Sequence, residues 1–209
     1  MSSLTSVTSG RPTGPVIALF LHGFGSNEHD LTGLAPVLPD GVEWASLRAP
    51  FDAGNGGAAW FPITTPGLPD AAPVEAATAQ IWAWVDSQLA PETRVVPVGF
   101  SQGGLMASQL LRTRPDRVAG TAVLSGFVLQ HPQPADAELE DLRPQVFWGR
   151  GDADRVISPA AVQRTAAWLP AHSTLTSRVY PGLAHGISAE EAGDLAAFLR
   201  TALDTEVPA

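Results

Sequence analysis

A serine, a histidine and a pair of aspartates in this chain have the types and placement that acyl transfer requires. Gly99-Phe100-Ser101-Gln102-Gly103 follows the short apolar run Val95 to Val98 and precedes Leu105 to Arg114, whose apolar spacing is helical. A strand, a tight turn and a helix therefore meet at Ser101. The flanking glycines let the turn close without side chains striking the neighbouring strand or helix. The serine hydroxyl then stands clear at the amino end of a helix, where free N–H groups and the helix dipole favour a developing negative charge.

A nucleophilic serine needs a base, the base needs an orienting acid, and the oxyanion needs a second donor. His185, in Pro181-Gly182-Leu183-Ala184-His185-Gly186, is the expected general base, because His22, His29, His131 and His172 fall in a turn, near a helix start or in polar loops. Asp152 and Asp154, in Gly151-Asp152-Ala153-Asp154, could each hold the histidine. Asp154 is preferred, with Asp152 expected to cap the turn through its own backbone. The oxyanion donors are expected to be the backbone N–H groups of Gln102 and of Phe24, the latter in His22-Gly23-Phe24-Gly25. Trp60, Phe61, Phe127 and Leu183 are candidate pocket residues. No two histidines have a metal-ligand spacing, so no metal is expected.

These residues are useful only if the fold brings them to one place. Apolar runs of strand length occur at Val16 to Leu21, Val42 to Leu47, Val95 to Val98, Val118 to Leu124, Gln145 to Trp148 and Leu175 to Tyr180. Helical patterns occupy Asp30 to Leu38, Val74 to Leu89, Leu105 to Arg114 and Ser158 to Leu169. A last helix follows Ser188, which with Glu191 has capping-box spacing. The Gly- and Pro-rich stretch from Pro50 to Pro73 reads as a long loop with aromatics to bury, and His131 to Asp141 as an acidic surface excursion. Continuous apolar strands alternating with helices predict an α/β fold: a mainly parallel sheet with helices on both faces. In such a sheet, sites form at the carboxyl ends of the strands. Phe24, Ser101, Asp154 and His185 each follow a different strand and so share one edge.

The composition is consistent with one such domain. The 209 residues suit a single unit, expected over 16–205, after a flexible segment over 1–15. A net charge of −9, with only 12 Lys and Arg, argues against nucleic acid and against an anionic membrane surface, and favours a neutral or cationic substrate. There is no Cys, which excludes disulfides and a thiol nucleophile. No apolar run approaches the roughly 20 residues that span a bilayer, and Met1 to Pro15 does not read as a secretory signal. A cytoplasmic protein is expected.

The order serine, acid, histidine along the chain is that of the α/β-hydrolase arrangement. Leu21-His22-Gly23-Phe24-Gly25-Ser26-Asn27-Glu28, Arg48-Ala49-Pro50, Trp60-Phe61, Gly99 to Gly104, Gly151 to Asp154 and His185-Gly186 together resemble the phospholipase/carboxylesterase family of α/β-hydrolases, which includes the acyl-protein thioesterases. The Ser26-Asn27-Glu28-His29-Asp30 continuation is closer to its bacterial carboxylesterase branch. The resemblance implies a cofactor-free serine esterase without a large cap domain, with Ser101, Asp154 and His185 as triad and the Phe24 and Gln102 amides as oxyanion hole. It takes the second aspartate of the Gly-Asp-x-Asp turn as the acid, and it is compatible with a homodimer.

The expected function is hydrolysis of short- to medium-chain carboxylic esters of small molecules through an acyl-enzyme. The alternatives are an acyl thioesterase or lysophospholipase with the same triad and, more remotely, a non-catalytic binding module that keeps the fold.

Overall fold

The computed structural model describes residues 4–204. Its centre is a seven-stranded sheet made of β1 (Ser6–Thr8), β2 (Val16–Leu21), β3 (Glu43–Leu47), β6 (Arg94–Phe100), β7 (Thr121–Leu124), β8 (Gln145–Gly151) and β9 (Thr174–Tyr180). Across the sheet the order is β1-β3-β2-β6-β7-β8-β9, and every neighbour pair is parallel except β1 with β3. The chain thus begins near one side and reverses direction across the sheet after β3. The serine-bearing strand β6 is central.

The long apolar runs follow from burial on both faces. Along β2, Ile17, Leu19 and Leu21 point into one core layer and Val16, Ala18 and Phe20 into the other. The first layer is closed by α1 (Ala71–Gln88), α2 (Gln102–Thr113), α3 (Asp136–Leu142) and α4 (Pro159–His172). The second is closed by a 3-10 helix, Asp30–Val37, and by α5 (Ala189–Leu203), which contributes Leu195, Phe198, Leu199 and Leu203. No cap domain stands over the sheet among the described residues.

Four short elements, in three places, depart from the sequence expectations. The supposedly flexible start contains β1, which pairs Ser6 with Leu47 and Thr8 with Ala45 at the sheet edge; residues 1–3 lie outside the described residues, as does residue 205. The loop from Pro50 holds a hairpin of β4 (Phe51–Gly54) and β5 (Gly57–Ala59). The excursion at His131 to Asp141 holds α3. Each is three to seven residues long, too short for periodicity to show, and α3 buries only Leu139.

At the start of α5, Ser188 Oγ accepts from the Glu191 amide at 3.0 Å, but the reciprocal half of the capping box is missing. The Glu191 side chain turns inward, fully buried beneath Gly149, and neither carboxyl oxygen has a hydrogen-bond partner among the described residues. Burial pushes this carboxyl up to about 7 from its usual 4.5. The folded value exceeds the unfolded one, so the stability it contributes is complete below about pH 4.5 and is lost as pH rises through about 7. Glu191→Gln is expected to leave stability at pH 4.5 nearly unchanged and raise it by about 2 kcal/mol at pH 8, read from urea unfolding at the two pH values. An equal effect at both would show that Glu191 is ionised throughout.

Candidate active site

The elbow between β6 and α2 is compressed from every side. A Cβ on Gly99 would lie 2.0 Å from the Gly103 carbonyl oxygen, and one on Gly103 would lie 1.8 Å from that of Leu21. Only glycine fits at either place. Ser101 itself has φ 57° and ψ −115°, a region that residues with a Cβ rarely occupy. Its amide donates to Leu124 O at 2.9 Å, and its own carbonyl accepts from Leu105 N at 3.2 Å. Sheet and helix together hold the strained residue.

The loops after β8 and β9 bring the other two side chains to it. His185 Nε2 lies 2.9 Å from Ser101 Oγ, and His185 Nδ1 lies 2.7 Å from Asp154 Oδ2. Asp154 Oδ1 accepts the Val156 and Ile157 amides at 2.8 and 3.2 Å. With Oδ1 so occupied, Oδ2 is free to accept a hydrogen bond from Nδ1–H, and this tautomer leaves Nε2 as an acceptor facing the serine hydroxyl. Phe100 packs on the imidazole with ring centroids 4.8 Å apart.

Asp152 does something the sequence did not predict. Instead of capping its own turn, its Oδ1 accepts the Gly182 amide at 2.6 Å and so ties the acid-bearing loop to the loop that carries His185. Gly151 fits beneath the same loop, where a Cβ would meet Leu183 O at 1.8 Å.

The turn carrying Phe24 is anchored by the hairpin. Gly25 N donates to Ala58 O at 2.9 Å and Ala58 N to Ser26 O at 2.7 Å. Gln102 adds a second clamp: its side-chain oxygen accepts Trp60 N at 3.0 Å and its amide nitrogen donates to Phe61 O at 2.8 Å. Buried His22 holds the base of the turn, accepting Ala49 N through Nε2 and donating from Nδ1 to Gly23 O. That pattern requires a neutral ring, and burial lowers its pKa accordingly. Phe24 and Gln102 both line the cleft beside Ser101, and among the described residues neither amide donates to another backbone group.

The cleft over Ser101 encloses about 370 Å³. Two of the four expected pocket residues, Phe61 and Phe127, line it. Two do not. Trp60 is wholly buried in the core, where its ring N–H donates to His22 O at 2.8 Å, and Leu183 is half-buried outside the lining, its carbonyl accepting from Ala153 N. The remaining walls come from Ile63, Pro66, Gly67, Val156 and Ile157. Their signal in the sequence was faint: a proline-rich stretch in a loop, and two β-branched residues two and three positions after the acid. Phe24, Ile63 and Val156 line the cleft while remaining exposed, an apolar rim.

Arg164, on α4, sets the spacing of two of these walls. Its Nε donates to Val128 O at 2.9 Å and its Nη2 to Gly67 O at 2.8 Å, with the guanidinium over the Phe127 ring. Arg164→Ala removes both tethers and is expected to lower kcat/KM on a hexanoate ester about tenfold while changing that on acetate much less. An equal loss on both esters would place the effect at the triad instead.

A serine on a strained strand-to-helix turn, joined through histidine to an aspartate at the carboxyl edge of a mainly parallel sheet, defines a serine hydrolase of the α/β-hydrolase fold. Residues 4–203 match the phospholipase/carboxylesterase family, and the chain belongs to that family. Carboxylesterase SOBER1 of Arabidopsis thaliana is 30% identical to it, over 83% of this chain and 84% of its own length. Acyl-protein thioesterase 1 of Mycosarcoma maydis is 28% identical, with 94% of each chain covered. Among solved structures, a Bacillus cereus carboxylesterase superposes with a TM-score of 0.78 over 95% of this chain and 94% of its own, at 21% identity, a likeness of fold. The enzyme therefore cleaves esters or thioesters.

Proposed function

We propose that this enzyme is a carboxylesterase for short- to medium-chain acyl esters of small molecules, working through an acyl-enzyme. Ser101 Oγ attacks the ester carbonyl as His185 Nε2 takes its proton. Asp154 holds the imidazole in the tautomer that can accept and steadies the imidazolium that results. The oxyanion is received by the Phe24 and Gln102 amides. His185 then returns the proton to the leaving alcohol, and water, activated by the same imidazole, releases the acid.

The observation that carries this reading is the unbroken hydrogen-bond path from Ser101 through His185 to Asp154, opening on an apolar cleft of about 370 Å³. Ligand clefts run from about 300 to 1,000 Å³, and the low end supports a short acyl chain. The second reading, an acyl thioesterase, draws on the likeness to acyl-protein thioesterase 1. The same triad serves both.

The test is a series of p-nitrophenyl esters from acetate to palmitate beside matched thioesters. A maximum of kcat/KM between butyrate and octanoate, with oxygen esters at least matching thioesters, is the expected result. A maximum at palmitoyl thioester would favour the second reading. Inertness to both series would overturn each of them and favour the binding module.

A further inference from the structure

The imidazole of His185 borders two clefts. The first is the apolar one over Ser101. The second, about 480 Å³, lies beyond the ring, between the 3-10 helix Asp30–Val37 and the start of α5; it shares Phe100 and His185 with the first but does not reach Ser101, Phe24 or Gln102. Building on the esterase reading, we propose that this second cleft is the leaving-group site, and that it takes a polar alcohol or thiol, neutral or cationic, larger than methanol.

The stereochemistry of the reaction argues for this assignment. In the tetrahedral intermediate the carbon carries Ser101 Oγ, the oxyanion, the acyl chain and the leaving heteroatom. The oxyanion is directed at the Phe24 and Gln102 amides. The leaving heteroatom must approach His185 Nε2, because the proton taken from Ser101 Oγ is delivered there as the carbon–heteroatom bond breaks. A group departing on that side meets the second cleft, while the acyl chain remains in the first.

The lining distinguishes the two. Phe61, Ile63, Phe127 and Ile157 make the first cleft apolar, whereas in the second Asp30 and Ser188 stand beside Leu31, Leu34 and Ile187, with the small residues Gly33 and Ala189 leaving room between them. The Ser188 oxygen already accepts the Glu191 amide, which leaves its proton to donate to a substrate oxygen. Asp30 is exposed and is the carboxylate of that lining, so it disfavours an anionic leaving group and favours a cationic one.

Gly33 provides the test. A Cβ there meets nothing within 4 Å, so Gly33→Leu fills the cleft without displacing the fold. The quantity read is kcat/KM for a butyrate ester of a bulky polar alcohol divided by that for methyl butyrate. This ratio is expected to fall tenfold or more in Gly33→Leu, and likewise in Ala189→Leu, which fills from the opposite wall and serves if the first variant folds poorly. Gly193→Leu, on the exposed face of α5 outside the cleft, is expected to keep the parent ratio. Butyryl-enzyme breakdown, measured by partitioning to an added nucleophile, should not differ between the two esters, since the leaving group has gone. Asp30→Asn should reduce the parent's preference for a quaternary amino-alcohol ester over its neutral carbon isostere from about threefold to about one. An unchanged ratio in both filled variants would overturn the assignment. A parent inert on all esters would instead overturn the esterase reading.

Discussion

Ser101→Ala is expected to lower kcat on p-nitrophenyl butyrate by about 10⁶, the magnitude lost when a triad nucleophile is deleted from another serine hydrolase. The estimate follows from the geometry. Ser101 Oγ is the hydroxyl that His185 Nε2 faces at 2.9 Å, and alanine leaves no atom to form the acyl bond. The Phe24 and Gln102 amides survive the change, so a residual acceleration over water of about 10³ to 10⁴ should persist. Stopped-flow kinetics would check the result: the parent gives a burst of nitrophenolate equal to the enzyme concentration and the variant gives none. A variant retaining more than about a hundredth of the parent rate would mean that another group attacks the ester.

Asp154→Asn is the next largest, a fall of about 10⁴ in kcat. The neighbouring bonds dictate the direction. Oδ1 accepts two amides, from Val156 and Ile157, and only a carbonyl oxygen can fill that position. The asparagine NH₂ is thereby forced toward His185 Nδ1, which must then be unprotonated. The proton moves to Nε2 and the ring can no longer accept from Ser101. Asp152→Asn keeps an oxygen for the Gly182 amide and should cost less than about tenfold, through looser loops alone. Steady-state kinetics on the two variants decide between the aspartates: a larger loss at Asp152 would remove Asp154 from the triad.

The hydrogen-bonded arrangement of Ser101, His185 and Asp154 was legible in the sequence because its parts obey constraints that act locally. A strand buried on both faces must read as an unbroken apolar run, as Val16 to Leu21 does, and a turn compressed between strand and helix must carry glycine at Gly99 and Gly103. Once the strands are placed, their carboxyl ends place Ser101, Asp154 and His185 on one edge. The cleft walls obey no such rule. Gly67 and Phe127 stand where they do because Arg164 ties their loops together from a helix distant in sequence. Trp60 shows the converse error. An aromatic residue in a Gly- and Pro-rich loop read as pocket, but its indole N–H found the His22 carbonyl and its ring went into the core. Nothing local to Trp60 distinguishes the two fates.

The backbone of Ser101 also carries a consequence for how this enzyme can evolve. A positive φ at a residue with a Cβ holds about 1 to 3 kcal/mol of strain, which the folded state carries and the unfolded chain does not. Glycine at this position would relieve it at the expense of all nucleophilicity. Ser101→Gly should therefore melt several degrees above the parent, on a scale of about 2 to 4 °C per kcal/mol for a chain of this size, less what glycine's added freedom returns to the unfolded chain. Drift toward greater stability at this one site leads away from catalysis, and selection for turnover must hold the serine against it.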